Sequence, residues 1–141
     1  MTAWTCPACE RTFSRNQQSH TCVPGNTVDE SFAGRPAWHR AIYDTLMEHL
    51  RRLGPVEEDA VKIGVFLRHE QKFAEIRPMA RSLAVWLMLP YPIDSPRVSR
   101  SERTSADRYA HYLKLTSLDE VDDELLGWFE DAYDHAATSG K

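Results

Sequence analysis

The chain has 141 residues, of which 42% are hydrophobic and 27% are charged, and its formal net charge is −4. This length suits one domain with a small additional module, and the composition is globular, which excludes a disordered or fibrous chain. The longest apolar run, Leu83 to Ile93, is broken by prolines, which argues against a membrane-spanning helix. The negative charge argues against a general nucleic-acid binder, because such domains usually carry excess positive charge.

The N-terminal segment carries all three cysteines of the chain. Two residues separate the first two cysteines, and a histidine and the third cysteine follow after ten more residues. Structural zinc takes four thiolate or imidazole ligands in a tetrahedron, and a Cys-x2-Cys turn brings two thiolates to one point. We therefore predict a module spanning residues 1–24 in which one structural zinc ion is bound by Cys6, Cys9, His20 and Cys22.

Three alternatives to a structural zinc site remain open: a different metal, a redox role, and cysteines without a role. His20 and Cys22 are two positions apart, so their side chains share a side only in an extended segment. DNA-reading zinc fingers instead take their second ligand pair from a helix, so nucleic-acid binding by this module is possible but not favoured. The first residues lack the layout of a secretory signal, which favours a cytoplasmic location, where disulfides rarely persist.

The segments that follow are interpreted from turn residues and hydrophobic period. Pro24-Gly25-Asn26 is a turn signal, and the mixed polar residues 25–34 are typical of a linker. Apolar residues then recur every three or four positions from Trp38 to Leu53, which predicts a helix that Pro36 opens and Gly54-Pro55 ends. Apolar runs predict four strands, at 61–68, 72–77, 83–89 and 108–115, with an irregular proline-rich loop after the third.

A last helix is predicted after Ser117, which forms a capping-box pattern with Glu120. Its expected buried stripe consists of Val121, Leu125, Trp128 and Ala132, and we expect Trp38, Trp86 and Trp128 to pack in the core. The whole pattern predicts an α+β domain over residues 35–141. Its antiparallel sheet has about four strands, and the two flanking helices cover one face of that sheet.

Charge is distributed unevenly along this domain. Residues 60–118 contain ten basic and five acidic residues, a net charge of +5, whereas residues 119–141 contain eight acids and one lysine. A basic sheet packed beside an acidic helix explains this without any ligand. The alternative is an anion site on the open face of the sheet, where guanidinium groups would bind a phosphate or carboxylate. Its candidate residues are Arg77, Arg97, Arg100 and His111.

The sequence resembles a bacterial family that carries the domain of unknown function 5655, preceded by a short zinc-ribbon-like head. The residues that carry the resemblance are Trp4-Thr5-Cys6-Pro7-Ala8-Cys9-Glu10-Arg11-Thr12-Phe13, residues 18–22, Gly54-Pro55-Val56, Phe73-Ala74, Pro96-Arg97, His111 and residues 119–125. The resemblance implies a compact α+β domain and supports zinc on the four N-terminal ligands. It implies no known reaction, so no catalytic residue is carried over.

No glycine-rich phosphate loop or catalytic serine motif occurs in the sequence. We therefore expect a non-enzymatic cytoplasmic binding or interaction protein, with the zinc head as a docking element and an unknown protein or a small anionic ligand as its partner. Two alternatives remain: a domain that binds a small anionic ligand, with or without catalysis, and a nucleic-acid-associated protein. The second would need the basic segment 60–118 and Arg11 and Arg15 on one continuous surface. Trp4 and Phe13 bear on this choice, because they either pack the head onto the domain or, if both are exposed, meet a partner.

Overall fold

The computed structural model describes residues 4–7, 11–13 and 27–138. The chain begins with a two-stranded hairpin, β1 (Trp4–Thr5) and β2 (Thr12–Phe13), followed by helices α1 (Val28–Phe32) and α2 (Ala37–Leu53). Six strands come next, and helix α3 (Asp123–Thr138) ends the described chain after a 3-10 turn at Leu118–Glu120. The six strands are β3 (Glu57–Val61), β4 (Gly64–His69), β5 (Gln71–Pro78), β6 (Leu83–Leu89), β7 (Val98–Ser105) and β8 (Arg108–Leu115).

The six strands form one antiparallel sheet in the order β3-β4-β5-β6-β8-β7. Side chains from all three helices and from one face of the sheet form a single hydrophobic core. Helix α3 packs across β4, β5 and β6, and α2 packs against α3. The prediction of an α+β domain with an antiparallel sheet is confirmed. The opposite face of the sheet carries no helix within the described part of the chain, and we call it the open face.

The predicted number of strands is wrong, because the sheet has six strands and not about four. The apolar pattern predicts one strand over residues 61–68, but a turn at Lys62 and Ile63 separates β3 from β4. Strand β7 occupies residues for which the prolines predict an irregular loop. Both additional strands lie at the edges of the sheet, and their sequences, EEDAV and VSRSERTS, are mainly polar. An edge strand needs little apolar surface, so the hydrophobic pattern does not reveal it.

The N-terminal part of the domain contains one more helix than predicted. Helix α1 lies within residues 25–34, the expected linker, and a capping box fixes its start. The Glu30 amide donates to Thr27 Oγ1 at 3.0 Å, and the Thr27 amide donates to Glu30 Oε1 at 2.9 Å. Phe32 is buried, with its ring 5.1 Å from the ring of Tyr43 in α2. Packing against the core therefore begins at α1.

The last helix begins later than its sequence pattern indicates. Glu120 Oε1 accepts from the Ser117 amide at 3.1 Å, but this capping box closes the 3-10 turn. Helix α3 is capped by Asp122, whose Oδ1 accepts from the Leu125 amide at 3.0 Å. Phe129 is fully buried at the centre of the α3 stripe, whereas Trp128, predicted to be there, is half-buried. Trp38 and Trp86 are also half-buried, and Trp86 lies on the open face.

Candidate functional site

Strand pairing aligns one row of side chains across the whole open face. Glu75 in β5 pairs with Trp86 in β6, and Trp86 pairs with Tyr112 in β8. Directly paired residues project from the same side of a sheet. Two aromatic rings therefore lie side by side next to a carboxylate at the centre of the open face. The full row is Asp59, Phe66, Glu75, Trp86, Tyr112 and Arg100.

A β-bulge in β5 adds a lysine to the open face. Leu67 pairs with Ala74 and Arg68 pairs with Lys72, so Phe73 has no partner across the ladder. An extra residue of this kind interrupts the alternation of side chains between the two faces. Phe73 is buried in the core, whereas Lys72 Nζ lies 4.6 Å from the Phe66 ring centre and 4.8 Å from the Trp86 ring.

Lys72 and Arg77 surround the carboxylate of Glu75, which is only 6% exposed. Lys72 Nζ donates to Glu75 Oε2. Arg77 Nε and Nη2 both donate to Glu75 Oε1, at 2.9 and 2.6 Å. A buried carboxylate is stable only when it is paired and hydrogen-bonded, and here two cations supply that pairing. The cluster therefore carries one more positive than negative charge.

A cleft of about 200 Å³ opens beside this cluster. Its floor is mainly apolar, and two exposed cations, Arg77 and Lys114, stand at its edge. Ligand sites are commonly apolar concavities with a few convergent polar groups. The remaining lining residues are Glu75, Met79, Ala84, Val85, Trp86, Ser99, Tyr112 and Leu113. The arrangement can hold a molecule with an apolar body and an anionic end.

The structure brings two of the four predicted anion-binding residues to the open face. Arg77 lines the cleft, and Arg100 lies over the ring of Tyr112, with its guanidinium carbon 4.3 Å from the ring centre. Arg100 also pairs with Glu102 at 2.9 Å. Both arginines are exposed. Both guanidinium groups therefore lie near the cleft, where Arg77 is paired with Glu75 and Arg100 with Glu102.

Arg97 lies elsewhere, at the start of α3. Its Nη1 donates to Asp122 Oδ1 at 2.9 Å and to Glu124 Oε1 at 3.0 Å. Its Nη2 donates to the backbone oxygen of Glu120 at 2.6 Å, and its guanidinium lies 5.5 Å from the Trp128 ring centre. Arg97 thus links the loop before β7 to the acidic N-terminal end of α3. This contact pairs the basic segment, residues 60–118, with the acidic segment, residues 119–141.

His111 faces the helix-covered side of the sheet and is completely buried. It pairs with Leu87 in the sheet, and the Ile93 amide donates to His111 Nε2 at 3.1 Å. Burial lowers the pKa of His111, and this effect outweighs the opposing influence of the backbone carbonyls of Leu87 and Tyr109. The imidazole is therefore neutral at pH 7 and does not reach the cleft.

A family model described as "Domain of unknown function (DUF5655)" matches residues 28–136. The chain belongs to this family. This confirms the family resemblance predicted for the domain. No curated protein and no solved structure matches the chain. No helix in the described part of the DUF5655 chain has the length and apolar character needed to cross a membrane.

The DUF5655 match begins at α1, so it contains the cleft and excludes the N-terminal hairpin. Of the four predicted zinc ligands, only Cys6 is described, and it is buried; Cys9, His20 and Cys22 lie outside the described residues. The Cys6 amide donates to the Arg11 carbonyl at 2.9 Å, which closes the loop between β1 and β2. Across residues 4–7, 11–13 and 27–138, no group of three or more potential metal ligands occurs.

The hairpin contacts the DUF5655 domain through a nearly buried group of charges. Arg11 Nη1 lies 2.6 Å from Asp59 Oδ1, and Arg68 Nη2 lies 3.8 Å from Asp59 Oδ2. The three side chains are 9 to 12% exposed. Asp59 pairs with Phe66, which is 1% exposed although it belongs to the open face. The hairpin therefore lies over the β3–β4 half of this face and leaves the cleft on the other half.

The packing of the hairpin bears on two expectations about the head, namely the exposure of its aromatic rings and a nucleic-acid surface. Phe13 is buried and Trp4 is half-buried, with their ring centres 6.1 Å apart. The two rings are thus not both exposed. Exposure of both rings was the condition that would have favoured a partner. A nucleic-acid surface would need Arg11 and Arg15 beside the basic strands, but Arg11 is occupied by Asp59. Arg15 lies outside the described residues.

Proposed function

We propose that this chain is a non-enzymatic binding protein whose ligand is a small organic anion, held in the cleft of the open face. The observation that carries the proposal is the combination of an apolar floor, which includes Trp86 and Tyr112, with exposed Arg77 and Lys114 at the edge. Apolar area supplies affinity in such a site, and a few charged groups supply orientation and specificity.

The polar groups of the cleft support binding and not catalysis. Lys72 and Arg77 hold the Glu75 carboxylate, which is therefore unavailable as a general base. The Ser99 hydroxyl donates to the Tyr112 carbonyl at 2.9 Å. A serine nucleophile needs a base within hydrogen-bonding distance to remove its proton, and among the described lining residues no side-chain base accepts a bond from Ser99. A binding role needs neither group.

We further propose that the head is zinc-ribbon-like, with one structural zinc bound by Cys6, Cys9, His20 and Cys22. The donor set fits, because three thiolates and one imidazole form a closed tetrahedral site. The hairpin fits as well, since it closes the loop that carries the Cys-x2-Cys pair. Such a head keeps its thiolates in a reducing compartment, so we also propose a cytoplasmic setting, in a bacterium as the family resemblance implies.

The zinc proposal predicts one equivalent of zinc per chain by elemental analysis of protein purified without added metal. The double variant Cys6→Ser, Cys9→Ser should lose that zinc and unfold at a lower temperature, because structural zinc contributes directly to folding free energy. Purified protein that contains no zinc, yet melts at the same temperature as the double variant, would contradict this proposal.

The binding proposal is tested by thermal shift with a set of small organic anions, nucleotides and short oligonucleotides. A bound ligand raises the melting temperature, because it stabilises only the folded state. We expect small organic anions to raise it in the wild-type protein and in Arg81→Met, an exposed arginine outside the cleft. The same anions should have little effect on Arg77→Met or Lys114→Met.

Two results would contradict the binding proposal. One is stabilisation by small anions that Arg77→Met does not reduce. The other is stabilisation by oligonucleotides alone, with the steep salt dependence that contact with many phosphates produces. The second result would favour a nucleic-acid-associated protein.

A further inference from the structure

We infer that the cleft selects an aromatic monocarboxylate, meaning a molecule with one or two fused rings and a single carboxylate. This inference rests on the proposed function and names the chemical class of its ligand. It follows from three features of the cleft: its size, the flatness of its floor and the balance of its charges.

Size limits the ligand to a small ring system. The cleft holds about 200 Å³, which is below the range of about 300 to 1,000 Å³ that is typical of sites for drug-sized ligands. The small side chain of Ala84 leaves a gap between the two long side chains that pair with it across the strands, Arg77 and Lys114. A ligand above Ala84 therefore lies between two cations on a narrow shelf.

The floor favours a flat ligand. Trp86 and Tyr112 are directly paired on neighbouring strands, and both line the cleft, so two aromatic side chains stand next to each other along its floor. Arg100 covers part of the Tyr112 ring, and its guanidinium is itself planar. Pairs of aromatic rings attract each other beyond their buried area, whereas a saturated ring gains only the burial term. An aromatic body is thus preferred to an aliphatic one of the same size.

The charges favour a single negative charge at the anionic end. Arg77 uses Nε and Nη2 to hold Glu75, which fixes the guanidinium plane and leaves Nη1 without a bond to that carboxylate. Ala84 pairs with Arg77 on one neighbouring strand and with Lys114 on the other. The backbones at Arg77 and Lys114 therefore lie two strand spacings apart, roughly 10 Å. The Lys72–Glu75–Arg77 cluster at this end carries a net charge of +1, which one ligand carboxylate balances, and the Glu75 carboxylate, which also lines the cleft, opposes a second negative charge beside it.

The test is a titration followed by NMR, with four probes of similar size: benzoate, cyclohexanecarboxylate, benzyl alcohol and phenyl phosphate. Two kinds of signal report binding at the cleft: the indole N–H of Trp86, assigned by its loss in Trp86→Leu, and the backbone amides of Ala84 and Lys114, which remain in that variant. We expect benzoate to bind about two- to tenfold more tightly than cyclohexanecarboxylate, which is the preference that aromatic contacts provide. Benzyl alcohol and phenyl phosphate should bind more weakly than benzoate.

Variants separate the contributions of the two ends of the ligand. Trp86→Leu should abolish the preference for benzoate and leave the affinity for cyclohexanecarboxylate within about twofold. Arg77→Met should weaken both carboxylates by about tenfold, as expected for loss of a charged hydrogen bond, and leave benzyl alcohol unchanged. Ala84→Leu should prevent binding of every probe by filling the shelf. Arg81→Met is the matched control and should bind as the wild type does.

The possible failures are distinguishable. Equal affinity for benzoate and cyclohexanecarboxylate would overturn the aromatic preference, and tighter binding of phenyl phosphate would overturn the monocarboxylate; either result leaves the proposed function standing. Carboxylate binding that Arg77→Met and Ala84→Leu do not change would place the ligand elsewhere and overturn both. Absence of any shift with the two carboxylates and with phenyl phosphate, each at its solubility limit, would also overturn both. Folding of each variant is checked from the dispersion of its amide signals.

Discussion

His111 is an imidazole enclosed on the helix-covered side of the sheet, and His39 in α2 is equally buried. Burial lowers the pKa of both residues below the ordinary value of 6.5, and the charge of Arg35 lowers that of His39 further. At a pH near or below 6.5 both imidazoles therefore bind fewer protons in the folded protein than in the unfolded chain.

The sign of the effect follows from this difference in bound protons. Because the unfolded state binds more protons below pH 6.5, the free energy of unfolding should fall as the pH is lowered from 7.5 to 5.5. Each of the two histidines contributes at most about 1.4 kcal/mol per pH unit. In His111→Gln, which cannot titrate, the fall should be shallower by up to this amount, as measured by urea denaturation at several pH values. A slope identical to that of the wild type would contradict this account of His111.

At the scale of single residues, the sequence predicts which types of group carry charge but not the direction in which they point. The basic segment predicts Arg77 and Arg100 in an anion site, and both are on the open face. The same prediction includes His111, which lies on the other face, because the register with Leu87 sets its direction. A shift of one residue in register exchanges the two faces of a strand, and the sequence alone does not determine that register.

At the scale of elements, the pairing of β4 with β5 depends on the absence of a side chain at Gly64. Its φ is +153°, and a Cβ there would lie 2.3 Å from the Ile76 carbonyl oxygen and 3.1 Å from the Arg77 Cα. Both atoms belong to the backbone of β5, which cannot turn aside as a flexible side chain can. A larger residue therefore pushes β4 away from β5, beside the Arg77 end of the cleft.

We expect Gly64→Ala to destabilise the protein by more than about 1 kcal/mol, since it adds both steric overlap and backbone strain. Gly127→Ala is the matched control, because Gly127 lies within α3 and a Cβ there meets no atom within 4 Å. This second change should stabilise the protein by about 1 kcal/mol through helix propensity. Urea denaturation measures both effects. A Gly64→Ala variant as stable as the wild type would show that β4 can shift away from β5 without loss of stability, which would contradict this account of their pairing.

The sequence predicts best the elements whose buried apolar residues follow one regular spacing along the chain. Helix α2 is predictable because its apolar residues face one core, and β6 because it is a continuous apolar run. Strands β3 and β7 escape prediction, since hydrogen bonds to one neighbour hold them and little apolar burial is needed. The bulge at Phe73 leaves no pattern in the sequence, because it depends on pairing with β4.

At the scale of the whole molecule, Asp59 joins the N-terminal hairpin to the sheet. It is 12% exposed and lies between Arg11 and Arg68, which are about equally buried. Removing one member of a buried ion pair leaves the remaining charges without compensation, which costs about 3 to 5 kcal/mol. The hairpin and the domain should therefore unfold together as one unit.

Asp59→Asn should accordingly lower the free energy of unfolding by about 3 to 5 kcal/mol and make the hairpin more sensitive to proteolysis. Glu48→Gln is the control, because Glu48 forms an exposed pair with Arg52 whose loss should cost about 0 to 1 kcal/mol. Equal effects of the two substitutions, measured by urea denaturation and limited trypsin digestion, would mean that the hairpin is not held by Asp59.

Strand pairing in the folded sheet brings most residues of the candidate site together. Trp86 and Tyr112 are far apart in sequence and become neighbours because β6 pairs with β8 and not with β7. Lys114 joins Arg77 only through Ala84 on the strand between them. The excess of basic residues in 60–118 is the one signal for this site in the sequence, and it indicates a sign of charge but no geometry.

The two sides of the sheet also differ in charge. Eight acidic residues and one lysine follow Leu118, many of them on α3, whereas Lys72, Arg77 and Lys114 stand on the opposite face. The molecule therefore has a permanent electric dipole across its thickness, although its net charge is negative. An approaching anion is repelled by one side and drawn to the other, so it is oriented before contact, and dissolved salt weakens this long-range guidance.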